Sequence, residues 1–111
     1  MKVTEGFRRK PAEGEIVTPP DKCVRAVIRG RVQGVGYRAW CARTARARGL
    51  SGWVRNRRSG DVEALFCGDE AAVDAMLADV WEGPPLSRVL EVEVIGETAA
   101  ACGAFEVLDT F

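Results

Sequence analysis

The 111-residue chain contains no histidine. This removes the side chain whose ordinary pKa lies nearest neutrality, and with it the most common general base and zinc ligand. The four cysteines, Cys23, Cys41, Cys67 and Cys102, include no C-x-x-C pair, so no metal site is expected. Long apolar runs are also missing, which excludes a helix that crosses a membrane. Net charge is absent too, since 16 Lys and Arg balance 16 Asp and Glu. Such a chain has no general electrostatic pull toward nucleic acid or an anionic membrane surface. The first ten residues, MKVTEGFRRK, are charged and lack the apolar core of an export signal. The cytoplasm is therefore the expected compartment, with the cysteines as reduced thiols.

What is present suits one ordinary domain. An apolar share of 47% supports a core, and the length leaves no room for a second domain. Residues 1–21 are polar, end in Thr18-Pro19-Pro20-Asp21 and have no apolar period. They are expected to form a flexible extension, with the folded domain at 22–111.

The pattern changes at Cys23. CVRAVIRG alternates, with Val24, Ala26 and Ile28 on one face and Arg25, Val27 and Arg29 on the other, and predicts a strand. Tyr37, Trp40, Cys41, Thr44 and Ala45 then fall at helical spacing, with Gly49 as the stop. SGWVRNR and VEALFCG read as strands joined by a turn at Arg58-Ser59-Gly60-Asp61. Asp69 suits the N-cap of a second helix with the stripe Val73, Met76, Leu77 and Val80, ended by Gly83-Pro84-Pro85. RVLEVEVIG alternates, predicting Leu90, Val92 and Val94 inward and Glu91 and Glu93 outward. A short strand is expected at Phe105-Glu106-Val107. The order β-α-β-β-α-β plus a terminal strand predicts an α+β ferredoxin-like sandwich, an antiparallel sheet with both helices on one face.

That topology places the end of the first strand, the start of the first helix and the end of the second strand at one sheet edge. The stretch Gly30-Arg31-Val32-Gln33-Gly34-Val35-Gly36-Tyr37-Arg38 and Asn56 therefore meet there. A loop entering a helix presents unpaired N–H groups and the positive end of the helix dipole. Glycines let successive N–H groups converge on one anion, and Arg38 adds a planar fork for two phosphate oxygens. The plain alternative is a strand-to-helix turn with a solvated arginine, and glycine-rich turns are common. Gly34 to Ala39 satisfies G-x-G-x-x-A, but the acid that dinucleotide binding requires after the next strand is replaced by Val54-Arg55-Asn56. The Gly-Lys-Ser/Thr ending of a nucleotide P-loop is absent.

GRVQGVGYR, followed by GWVRN and GDVEALFCG, closely resembles the acylphosphatases, small ferredoxin-like enzymes that hydrolyse carboxyl-phosphate anhydrides. The resemblance covers about residues 22–110. It implies that Arg38 binds phosphate and Asn56 positions water, with the backbone of Gln33, Gly34, Val35, Gly36, Tyr37 and Arg38 completing a phosphate cradle. It implies a small acyl phosphate as substrate and inorganic phosphate as product or inhibitor. It implies no metal or cofactor, no nucleic-acid or membrane partner, and a monomer. Tyr37 stands where the family usually has phenylalanine. Arg57 follows Asn56 where some members have a threonine. Arg48 replaces an often apolar residue, and its stem is expected to extend over the core.

The bland assignments are packing for Trp40, Trp53 and Trp81, and a solvated face for Arg55, Arg57 and Arg58. Glu63, Glu91 and Glu93 read as the outward polar side of strands. The rival functional reading is a non-catalytic ferredoxin-like RNA- or ligand-binding module. RNA-recognition domains place aromatics on the exposed face of the third strand, and VEALFCG has only Phe66. A carbamoyl-phosphate-handling domain like that of hydrogenase maturation factors is the third reading.

Overall fold

The computed structural model describes residues 22–96 and 103–110. The proposed extension at 1–21, and Cys102, lie outside them. The elements are β1 (Lys22–Arg31), α1 (Tyr37–Ala47), β2 (Ser51–Asn56), β3 (Val62–Gly68), α2 (Glu70–Glu82), β4 (Arg88–Gly96) and β5 (Glu106–Val107). The sheet order is β4-β1-β3-β2-β5. The first four strands pair antiparallel, and the short β5 adds parallel to β2. The result is the expected α+β ferredoxin-like arrangement with a mixed five-stranded sheet.

Alternation decides which face each strand buries. Val24, Ala26 and Ile28 of β1, Val54 of β2, and Val62, Ala64 and Phe66 of β3 enter one apolar cluster. Tyr37, Cys41 and Ala45 of α1 and Val73, Met76 and Val80 of α2 close it from the same side. Phe66 stacks on Phe105, with ring centroids 5.8 Å apart, which fixes the chain entering β5 to the centre of the core.

The opposite face is held by charge. Glu63 is 3% exposed there, so it is no solvated strand residue. Arg25 donates to its Oε2 at 2.7 Å and Arg55 to its Oε1 at 3.0 Å. Arg55 also lies over the Trp53 ring, 4.8 Å from its centroid, rather than on a solvated face. Burial alone would raise the Glu63 pKa, but the bonds from Arg25 and Arg55 outweigh it and hold the carboxyl below its ordinary 4.5. Arg29 continues the pattern toward the sheet edge, with Glu93 at 3.1 Å and Glu91 at 3.6 Å. Outside this face, Arg48 bonds Asp79 at 2.6 Å and so ties α1 to α2.

Three further expectations need correction. Cys23 and Cys67 are joined as a disulfide rather than standing as free thiols. The β1–β3 register sets them directly opposite each other, a proximity that residues 44 apart in sequence do not announce. Cys41 is free and buried, and burial pushes its thiol up to about 12. Leu90 and Val94 are 67% and 49% exposed rather than inward. They lie on the edge strand, and a register shift between Arg29 and Gly30 sets Val89 opposite Gly30. Val92 packs on the core as expected, and Val89 joins it there. Trp81 is half exposed at the end of α2 and is not a core residue.

The stability supplied by Glu63 should therefore depend on pH. Its folded pKa is depressed, so its contribution is present above the carboxylate range and lost as pH falls through it. Glu63→Gln is expected to cost about 2 kcal/mol at neutral pH, below the full cost of breaking a buried pair because both arginines are partly solvated. Urea titrations should show the gap to the parent protein closing as pH drops well below 4.5.

Candidate functional site

Between β1 and α1 the backbone reverses through Gly34 and Gly36, at φ +76° and +79°. A Cβ at either position would meet nothing within 4 Å, so it is the left-handed backbone, not crowding, that favours glycine here. Gly36 is the N-cap of α1 and has no side chain with which to cap it, and no acidic residue occupies the first turn. The first N–H groups of α1 are orphans of helix geometry, and they face outward from the turn with the positive end of the dipole behind them. An anion is the natural partner for such groups.

Gln33, Gly34, Gly36, Tyr37, Arg38 and Asn56 all line one cleft of about 350 Å³. The sheet order explains the meeting. β3 pairs with β1 on one side and β2 on the other, so the loop after β1 and the last residue of β2 share an edge. Val35 is the exception among the loop residues, being partly buried against the core. Its side chain anchors the loop.

The Arg38 guanidinium is half-buried and donates from Nη1 to the Leu108 carbonyl at 3.1 Å. No carboxylate pairs with it among the described residues, so its charge is not cancelled within the site. Leu108 is itself fixed, since its N–H donates to the Val54 carbonyl at 2.8 Å. Arg46 donates twice to the Phe105 carbonyl, at 2.6 and 3.0 Å, tying α1 to the same segment. The Asn56 carboxamide has no hydrogen-bond partner among the described residues and lines the cleft. Among the described residues no group of His, Cys, Asp and Glu is placed to hold a metal. The arrangement offers fixed positive charge, backbone donors and a neutral amide.

Tyr37 has a structural side chain. Its ring is buried and its hydroxyl donates to the Val80 carbonyl at 2.6 Å, while burial raises its pKa well above 10. The polar atom that phenylalanine would lack thus has a partner on α2. Gly83 makes room for the ring, since a Cβ there would come within 2.8 Å of Tyr37 Cε2. Sequence reasoning missed Ala39 and Val107, which also line the cleft, and Leu108, which orients Arg38. Only the parallel pairing of β5 with β2 brings the last two to the site.

The comparisons agree on one family. The acylphosphatase family model matches residues 24–107. An acylphosphatase from Bradyrhizobium diazoefficiens is 58% identical over 78 residues, covering 70% of this chain and 77% of the relative. One from Azorhizobium caulinodans is 53% identical over 85 residues, covering 76% and 91%. The solved acylphosphatase of Coxiella burnetii superposes with a TM-score of 0.77 at 31% identity, covering 80% and 94%. Full-length HypF, in a phosphate- and nucleotide-bound form, matches with a TM-score of 0.73 at 29% identity, but over only 12% of its own length. No helix among the described residues is long and apolar enough to cross a membrane.

Replacing Tyr37 by phenylalanine isolates its hydroxyl. Tyr37→Phe should lower unfolding stability by about 1 kcal/mol through the lost buried hydrogen bond. Phosphate affinity, measured by isothermal titration, should stay unchanged, because the loop and Arg38 keep their places.

Proposed function

The chain belongs to the acylphosphatase family, hydrolases of acyl phosphates, and from that premise we propose that water attacks a phosphoryl group held between the α1 amides and Arg38. The observation that carries this reading is the uncapped start of α1, with Arg38 and Asn56 on the walls of the same cleft.

The chemistry suits these groups. The leaving group is a carboxylate whose conjugate acid has a pKa of about 4. It departs as an anion, so no general acid is needed to protonate it. Phosphoryl transfer then asks mainly for alignment and for stabilisation of charge on the equatorial oxygens. The backbone N–H groups from Gln33 to Arg38 and the Arg38 fork supply that stabilisation. Asn56 holds the attacking water in line through donor and acceptor atoms of one neutral group. A phosphoryl oxygen takes the proton of the water. The products are the carboxylate and inorganic phosphate, which leaves by the same cleft and competes with substrate. Ala39 and Val107 give the acyl portion an apolar wall.

The RNA-binding alternative lacks its platform. Phe66, the aromatic of β3, is fully buried against Phe105, and the open face of that strand carries Glu63 bound by two arginines.

Benzoyl phosphate hydrolysis, followed spectrophotometrically with phosphate as competitor, tests the roles. Arg38→Ala should lower kcat/KM at least a hundredfold, about 3 kcal/mol of transition-state stabilisation. Arg38→Lys should fail nearly as badly, since the ammonium keeps the charge and loses the fork. Full activity in either variant overturns the proposal. Asn56→Ala should reduce kcat while the inhibition constant of phosphate stays nearly constant. A large loss of phosphate affinity in that variant would assign Asn56 to the cradle instead.

A further inference from the structure

The side chain of Gln33 reaches out of the phosphate loop to a different part of the chain. Its Nε2 donates to the Arg57 carbonyl at 2.7 Å and to the Asp61 carbonyl at 2.9 Å. Both partners are obligate acceptors, so the nitrogen end of the carboxamide must face them, and both of its hydrogens are engaged. Those two carbonyls stand at the mouth of the β2–β3 hairpin, where the Arg57 N–H bonds the Asp61 carbonyl at 2.8 Å and the Gly60 N–H bonds the Arg57 carbonyl at 3.0 Å. Each carbonyl therefore already holds one bond from within the hairpin and gives Gln33 its second lone pair. Asn56 immediately precedes this mouth, paired with Val62 in the last rung of the ladder.

We infer that Gln33 is a positioning residue for Asn56: its carboxamide locks the hairpin mouth to the phosphate loop and so sets the distance between the water-holding amide and the bound phosphoryl group. This rests on the functional reading given above. Beyond the β1–β3 ladder, which runs to Ile28 and Val62, and the ion pair of Arg29 with Asp61 at 3.5 Å, these two hydrogen bonds from Gln33 are what join the loop itself to the hairpin mouth among the described residues. In-line attack tolerates little error, and a misplacement of about 1 Å can cost a hundredfold in rate. Folding depends on Gln33 far less. Removing its NH2 leaves each carbonyl with the bond made inside the hairpin, so no buried acceptor is orphaned. The role thus falls on rate rather than on stability.

The test uses the whole chain with Q33M, which keeps the length of the side chain and removes both donors, and Q33E, which turns two oxygens toward two carbonyls. For Q33M, kcat for benzoyl phosphate is expected to fall roughly tenfold. The inhibition constant of inorganic phosphate should stay within about twofold, because the loop N–H and Arg38 are untouched, and Tm should move by only a few degrees. Q33E should be slower than Q33M. In an N56A background, Q33M should have no further effect on kcat, the non-additivity expected when one residue acts through another. Should Q33M fail to fold, Q33L takes its place in the same measurements. Unchanged kcat, a loss carried wholly by phosphate affinity, or full additivity with N56A overturns the inference while leaving the proposed reaction intact. A parent protein that does not hydrolyse benzoyl phosphate overturns the proposed reaction, and the inference with it.

Discussion

An α-helix must begin with N–H groups that have no partner inside the helix. Elsewhere such groups are commonly met by a Ser, Thr, Asp or Asn side chain at the N-cap. Here the N-cap of α1 is a left-handed glycine and the first turn contains no acid, so the helix start keeps its field and its donors for something external. The contrast with α2 is one of charge: the Asp69 side chain at its N-cap makes no capping hydrogen bond, but it and Glu70 in the first turn place carboxylates beside that helix start. A helix begun as α1 is depends on the surrounding structure to hold its shape. Tyr37 bonding α2, Arg46 bonding the Phe105 carbonyl and Val35 packed on the core do this from three directions.

The sheet order converts that local feature into a site. β3 lies between β1 and β2, which brings a loop near residue 34 and an amide at residue 56 to the same edge. β5 then closes the arrangement from the far end of the chain. Its parallel pairing carries Leu108 to the Arg38 guanidinium, so the cation is aimed by a backbone carbonyl rather than by a carboxylate. That choice matters electrostatically. A carboxylate partner would hold Arg38 as firmly but would offset its charge toward any incoming anion. A carbonyl orients it and leaves the net charge available.

Much of this was readable from residues alone, and the remainder divides by range. The alternation in β1, the stripe of α2 and the glycines before Arg38 are local signals, and the strand order followed from counting elements. The meeting of Asn56 with the loop followed from that order. Three features depended on register or on position in the sheet, which local pattern does not encode. Cys23 and Cys67 became neighbours only through the β1–β3 pairing. The exposure of Leu90 and Val94 reflects an edge strand, where inward alternation has too little above it to pack against. Glu63 looked like a surface carboxylate because the arginines that bury it come from β1 and β2. The two hydrogen bonds from Gln33 to the hairpin join residues 24 and 28 positions apart, and no spacing rule points to them.

The electrostatic design also explains how a chain without histidine suits this reaction. Every charge or dipole at the cleft is fixed over the neutral range: a guanidinium, backbone N–H groups, the helix terminus and a neutral carboxamide. None has to gain or lose a proton for the site to be competent. The titrating group whose pKa burial and arginine bonds both affect, Glu63, lies on the opposite face of the sheet and serves stability. In the proposed mechanism proton chemistry is left to the substrate, whose leaving group departs as a stable anion, and the protein supplies placement. Under that proposal the geometry between the loop amides and the Asn56 carboxamide is the main variable available to the chain, and contacts that span the two parts of the site act on it.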